Sequence, residues 1–416
     1  MRRGHLSEYF EGVGVKTLSV VDATPSRSNQ HEVGTTKEMR HFLGCERRQF
    51  DVTYLWLGGE QESITESGSA THYDTRVKRP HRRPEWRLYY PSNPVTEIMT
   101  AGDTLFLAKR PGDELLFIVT PRDGTLQNQL LWLFGFSAQP QLRFQTQEFT
   151  GSEDAELDFT ARLILDELGI EFEDPRANSL DAIIERFGTT FPKTAEFSDL
   201  ARMTLPHVDA VADPDAALVA WIGHEEALFR RLERRAVASR VEEGFGSGET
   251  LDVESFLRFS LQVQNRRKSR MGRAFENHLE AVFRAFRLRF EPQAKTEHGN
   301  SVDFLFPGSA EYHNPAFPAE ALTMLAAKST CKDRWRQVLP EARRISLKHL
   351  VTLEPAISAM QTDQMRAECV QLVVPNSIQS SYAASEQHWL MSLADFINLV
   401  LDRGLSQALS GRDRLL

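Results

Sequence analysis

Two ionisable residues, each set in an apolar run, are the first that could do chemistry together. Asp303 interrupts "SVDFLFP", and Lys328 closes "ALTMLAAK" 25 residues later. Lysine rarely enters an apolar run unpaired, so an acidic partner on a neighbouring strand is expected to hold it. Glu341 follows 13 residues further on, about where a helix after the strand would return a second carboxylate. Glu276, in "GRAFENHLEAVF", offers another. Carboxylates and a lysine converging at strand ends provide hard oxygen ligands for Mg²⁺ and a cation beside an attacking water. That is chemistry for phosphodiester hydrolysis. Spacing alone does not single it out, because Asp, Lys and Glu at such distances are common.

A dense run of charge follows the lysine. In "STCKDRWRQ", Lys332, Asp333, Arg334 and Arg336 surround Trp335. Arg or Lys donates to guanine O6 and N7, and an acidic side chain accepts from cytosine N4. The run therefore has the composition of a base reader, and equally that of a solvated helical turn with paired charges.

The elements that must position these residues lie in the second half. "RFEPQAKT", "SVDFLFP", "ALTMLAAK", "HLVTLE" and "CVQLVVP" are strand-like and interleave with helical patterns. Two long helices are expected in "ALVAWIGHEEALFRRLERRAVASRVEE" and "LDVESFLRFSLQVQNRRKSRMGRAFENHLEAVFRAF", and a final amphipathic one in "HWLMSLADFINLVLDRG". This alternation implies an α/β core with a mixed sheet.

Residues 1 to about 145 read differently. "TLSVVDA", "FDVTYLWLG", "WRLYYP", "DTLFLAKR", "ELLFIVTP" and "LLWLFGF" are short β-branched or aromatic runs between turn residues, the signature of a barrel or sandwich. Among them lies a basic loop, "DTRVKRPHRRPEWR", with Arg76, Lys78, Arg79, Arg82, Arg83 and Arg87. An acidic stretch then separates the halves. The division expected is 1–147 for the first domain, 148–187 for the linker and 188–416 for the α/β domain.

The 416-residue length suits two domains, and 41% hydrophobic with 26% charged residues is the composition of a folded globular chain. A net charge of −9 excludes a uniformly basic nucleic-acid coat, although local basic patches are enough for DNA binding. Cys45, Cys331 and Cys369 are scattered, which excludes a zinc ribbon and a disulfide framework. The start lacks an apolar signal core and nothing later approaches a membrane span, so a cytoplasmic protein is expected.

"NRRKSRMGRAFENHLEAVF", "VDFLFPGSAEYHNPAFP" and "MLAAKSTCKDRWRQVLPEA" together resemble the catalytic domain of EcoRII-type restriction endonucleases, a branch of the PD-(D/E)XK nuclease superfamily. The similarity spans roughly residues 215 to 400, with "KSTCKDRWRQ" its most specific block. In that branch the acid two residues before the lysine is replaced by a glutamate further on, and here Ala326 and Glu341 show the same exchange. The resemblance implies that Asp303 and Glu341 hold Mg²⁺, that Lys328 handles the water, and that Glu276 is a secondary acid. It adds Tyr312 to the active site, and makes Lys332, Asp333 and Arg334 readers of a CC…GG core. It also aligns Trp221 with a base-contacting position, where an aromatic could stack on an extruded base. Two departures stand out: Val302 replaces the signature proline, and Pro340 would kink a continuous helix before Glu341.

The first half resembles the N-terminal B3-like pseudobarrel of the same enzymes more faintly. "SNQHEVGT", with His31 and Glu32, and the basic loop occupy the positions of two DNA-contacting loops. The resemblance implies a homodimer on double-stranded DNA, whose N-terminal domain binds a second copy of the site and relieves autoinhibition. Two other readings stay open: a modification-dependent or retargeted defence nuclease, and a DNA-binding regulator with a decayed nuclease fold.

Overall fold

The computed structural model describes residues 5–23, 31–58, 63–78, 81–137, 139–149, 157–172, 177–247 and 250–413. Two compact units result. The first is Met1–Glu173 with Pro355–Met360, and the second is Asp174–Glu354 with Gln361–Leu416.

The first unit is built on an eight-stranded sheet. Its spatial order is Glu32–Gly34, Trp86–Tyr89, Ile64–Asp74, Arg48–Trp56, Glu114–Thr120, Thr104–Lys109, Gly12–Thr17 and Gln145–Glu148. Neighbours are antiparallel except Arg48–Trp56 with Glu114–Thr120, which run parallel. Alternate residues of the central strands enter two separate cores. Phe106, Ala108, Leu116 and Ile118 join one with Leu130 and Phe134, while Leu105, Leu107, Phe117 and Val119 join the other with Phe50 and Tyr90. A strand buried on both faces is largely apolar, which is why Leu105–Ala108 within "TLFLAK" show no alternation.

Three expectations are corrected here. "LLWLFGF" is not a strand: its first residues close the helix Thr125–Leu133, which turns Leu126, Leu130 and Leu131 into one core. In "TLSVVDA" the strand ends at Thr17, and Val20–Ala23 forms a helical turn fastened by Asp22, which accepts from the Ser19 N–H at 2.8 Å. The expected linker 148–187 is largely helical where described. Phe159–Glu167 buries Ile164 and Leu165 in the first unit, and Leu180 and Ile184 of Ala177–Ile184 pack with Phe197, Leu228 and Leu232 in the second. A boundary at residue 188 would cut into that core, and the division by contacts falls after Glu173.

The second unit carries a five-stranded sheet in the order Glu291–Lys295, Ser301–Phe306, Thr323–Lys328, Lys348–Thr352 and Val370–Val373. The first three are antiparallel and the last three parallel, so the sheet is mixed as expected. The helix Val253–Ala285 packs its C-terminal half through Phe283, whose ring lies 5.2 Å from Phe304 and 5.3 Å from Phe306. Phe396 of the final helix, Leu393–Asp413, meets Phe306 at 5.6 Å. A further layer holds Thr194–Met203 and Pro214–Glu243. Among the described residues no helix is long and apolar enough to cross a membrane.

Candidate active site

Asp303 sits in an interior strand of the second sheet, its neighbours Val302 and Phe304 buried and its own side chain 14% exposed. Lys328 ends the adjacent strand and is equally enclosed, its Nζ donating to Asp303 Oδ2 at 2.9 Å. The Ala327 N–H donates to the same oxygen at 2.7 Å. The acidic partner expected for the lysine is therefore Asp303. Val302, where the signature has proline, lies fully buried and unremarkably in the strand.

Glu276 arrives from the long helix, one residue past the buried Phe275. Its Oε2 accepts from Gln293 Nε2 at 3.1 Å, and the same nitrogen donates to Asp303 Oδ1 at 3.2 Å. Burial raises the Glu276 carboxyl above its ordinary range, and the negative charge of Asp303 adds to that.

Glu341 reaches the site differently from the expected course. No α-helix lies between Lys328 and Glu341. The segment Lys332–Val338 is 3-10 helical, and Glu341 stands in the irregular turn after it, so Pro340 has no continuous helix to kink. The turn is fixed by Lys348, whose Nζ donates to the carbonyls of Glu341 at 2.7 Å and of Ile345 at 3.1 Å. Burial pushes the Glu341 carboxyl up to about 7, with Lys328 pulling it down and Asp303 pushing it up. Its Oε2 is buried without a hydrogen-bond partner among the described residues. A buried carboxylate oxygen lacking a donor is costly, and a bound cation would satisfy it.

Tyr312 is not open to the site. It is 1% exposed, donates to Glu297 Oε1 at 2.5 Å and accepts from the Arg344 N–H at 3.3 Å. Burial, helped by Glu297, raises its phenol to about 12. The expected catalytic tyrosine thus fastens the loop that carries Glu341.

Cys331 begins the charged run and is anchored by its N–H to the Glu354 carboxylate. Trp335 is 2% exposed and pins the 3-10 turn to the body of the unit. Arg334 projects outward from the same turn, exposed. This explains a tryptophan amid charges: one apolar knob holds the segment while its neighbours face solvent. The side chains of Lys332 and Asp333 lie outside the described residues.

Trp221 is a core residue. It is 7% exposed, with its ring 5.9 Å from that of His278 and the Arg202 guanidinium 6.0 Å away. His278 is fixed in turn by Glu225 at 2.8 Å. A face free to stack on a base is therefore absent in this arrangement.

In the first unit Arg76, Lys78, Arg82 and Arg83 lie in the connection between Ile64–Asp74 and Trp86–Tyr89, and Arg87 lies in the second of these strands. Two of them are occupied internally. Arg76 pairs with Glu85, and Arg87 with Glu85 at 2.7 Å and Glu32 at 3.0 Å. Lys78, Arg82 and Arg83 are exposed, while Arg79 lies outside the described residues. His31 packs against Tyr90 at 5.9 Å, and Glu32 begins a strand and is held by Tyr73 and Arg87. The expected polar loop is thus, where described, largely a paired strand.

The donor set suits a hard divalent cation, being made of carboxylates. Among the described residues no group of three or more His, Cys, Asp or Glu side chains is close enough to hold a metal ion unaided. Mg²⁺ needs no such cage, since it is usually bound by one or two carboxylates with waters and substrate phosphates.

Comparison with known proteins finds likenesses over the segment that carries this site. Residues 229–397 match the family model described as EcoRII C terminal, and Glu276, Asp303, Lys328 and Glu341 all lie within the matched segment. The chain is 39% identical over 230 residues to the type II restriction enzyme EcoRII of Escherichia coli, covering 55% of each protein. It thus spans about half the length of that curated relative. Among solved structures, metal-depleted Ecl18kI in complex with uncleaved, modified DNA matches with a TM-score of 0.45 and 16% identity, over 56% of this chain and 84% of the other. The restriction endonuclease PspGI–substrate DNA complex matches with a TM-score of 0.42 and 13% identity, over 51% of this chain and 93% of the other.

Proposed function

We propose that the protein is a Mg²⁺-dependent type II restriction endonuclease of the EcoRII kind, leaving 5′-phosphate ends at a short DNA site with a CC/GG core. The observation that carries this reading is the meeting of Asp303, Lys328 and Glu276, with Glu341 in their field, inside the segment that matches the EcoRII C-terminal family.

Asp303 and Glu341 would hold the ion, which supplies Lewis-acid charge to the scissile phosphate. Lys328, fixed by Asp303, keeps Nζ protons available to hold the attacking water in line. Glu276 adds a second carboxylate beside Asp303. Arg334 reads guanine from its exposed place on the pinned turn, with Lys332 and Asp333 completing the triplet. The enzyme acts as a homodimer in the cytoplasm. Its first unit is a B3-like DNA-binding module whose exposed Lys78, Arg82 and Arg83 contact the phosphates of a second site copy, relieving inhibition of the nuclease.

Digestion of methylated and unmethylated genomic DNA, with the ends sequenced, tests the reading. Cuts at one short G·C-cored site in unmethylated DNA, only with Mg²⁺, are expected. Cuts confined to methylated DNA would favour the modification-dependent alternative, and no cutting of either would favour a binding protein.

Arg334→Ala is expected to weaken binding to the cognate duplex by about 1–3 kcal/mol, the worth of one bidentate base contact. Binding to random duplex should change far less, because it rests on phosphate contacts. Equal losses on both, in a fluorescence-anisotropy titration, would reassign Arg334 to the DNA backbone.

A further inference from the structure

Gln293 touches two of the site's carboxylates, and its residue type gives no hint of it. Its Nε2 lies 3.1 Å from Glu276 Oε2 and 3.2 Å from Asp303 Oδ1. It belongs to the edge strand Glu291–Lys295, between Pro292, opposite Phe304, and Ala294, opposite Val302. That register sets Gln293 across from Asp303. Its φ is +50°, a left-handed conformation that side-chain-bearing residues seldom adopt, least of all inside a strand. Unusual backbone of this kind persists where the surroundings enforce it, commonly at functional sites.

The electrostatics explain what the amide does there. Burial and then the nearby charge of Asp303 raise the cost of charging Glu276. An NH₂ group between the two carboxylates supplies partial positive charge in the space a cation would take. The same planar group carries a carbonyl oxygen, and a half-turn about its last bond exchanges the two. Glutamine carbonyl oxygens are accepted ligands of hard divalent cations. No three acidic, His or Cys side chains among the described residues form a cage, and an amide oxygen is the donor such a count omits.

We propose that Gln293 is a further protein oxygen ligand, next to Asp303, of the divalent cation that Asp303 and Glu341 would hold, its amide turning from hydrogen-bond donor to metal acceptor as the cation enters. This rests on the reading of the site as cation-dependent. In the cation-free protein the amide bridges Asp303 and Glu276, so that Asp303 is already fixed in place before the cation binds.

The test is a Mn²⁺ titration of the full-length protein without DNA, followed by electron paramagnetic resonance. Gln293→Met, which removes both oxygen and donor, should weaken Mn²⁺ binding roughly tenfold or more, the range seen when groups that hold or orient a metal are removed. Gln293→Glu, which keeps an oxygen there, should bind at least as tightly as wild type. Both residues suit an exposed position, and thermal melting checks the fold. If Gln293→Met binds Mn²⁺ like wild type while Asp303→Asn binds weakly, Gln293 is a spacer only and the proposal falls alone. If Asp303→Asn also binds like wild type, the cation-dependent reading of the site falls with it.

Discussion

Glu341→Gln is expected to abolish Mg²⁺-dependent cleavage and, in the same protein, to stabilise the cation-free fold above pH 7. The first follows from losing an anionic oxygen proposed to hold the ion, the second from the burial that pushes the Glu341 carboxyl up to about 7, with no donor on its Oε2. In the unfolded chain this group titrates near its ordinary value of 4.5. The unfolded state therefore releases the proton first as pH rises. The favourable contribution is complete below about 4.5 and is lost as pH climbs through about 7. At pH 8 a buried, unpaired carboxylate costs on the order of 3 kcal/mol, taking about 1.4 kcal/mol for each unit of displacement from 4.5 to about 7. Glutamine carries no such charge. Urea unfolding in EDTA should show the variant more stable than wild type at pH 8 and nearly equal to it at pH 5. The same gain at both pH values would mean that ionisation of Glu341 is not the cause. A site that weakens the empty fold and is completed by its ligand is the ordinary compromise between stability and activity.

Continuous apolar runs made the second sheet legible. Ser301–Phe306, Thr323–Lys328, Lys348–Thr352 and Val370–Val373 fall on runs read as strands, because strands covered on both faces are largely apolar. Glu291–Lys295, also read as a strand, is a mostly exposed polar edge. Lys328 was legible for the related reason that a lysine ending such a strand needs a partner, and Asp303 is that partner. The same criterion misread "LLWLFGF", where apolar density serves a helix, since short apolar runs do not reveal their period. It also passed over Ile64–Asp74, an eleven-residue strand whose sequence, "ITESGSATHYD", is mostly polar. That strand exists because Ile64–His72 pairs with Arg48–Trp56 and its last residues with Trp86–Tyr89, a tertiary cause invisible locally.

Within the site, Glu341 could be named from its position after the lysine, but not the turn that delivers it. That turn depends on Lys348 and on the Tyr312–Glu297 pair. Gln293 left no signal at all, because its importance arises from strand register and from a side chain with no charge. Trp221 shows the reverse error. An aromatic in an aligned segment invited a DNA-facing role, and packing against His278 and Arg202 gives it a core one.

The central claim is that Asp303 and Lys328 are the chemical heart of a cation-dependent nuclease, and cleavage of supercoiled plasmid by purified full-length protein tests it most directly. Wild type should cut with Mg²⁺ and stop when EDTA is added. Asp303→Asn and Lys328→Met should cut at least about 10²–10³-fold more slowly, the loss expected when one preorganised charge at a transition state is removed. Both should still bind DNA nearly as wild type does, since their side chains are largely enclosed and bonded to each other. Cutting at the wild-type rate by either variant, or undiminished cutting in EDTA, would contradict the account.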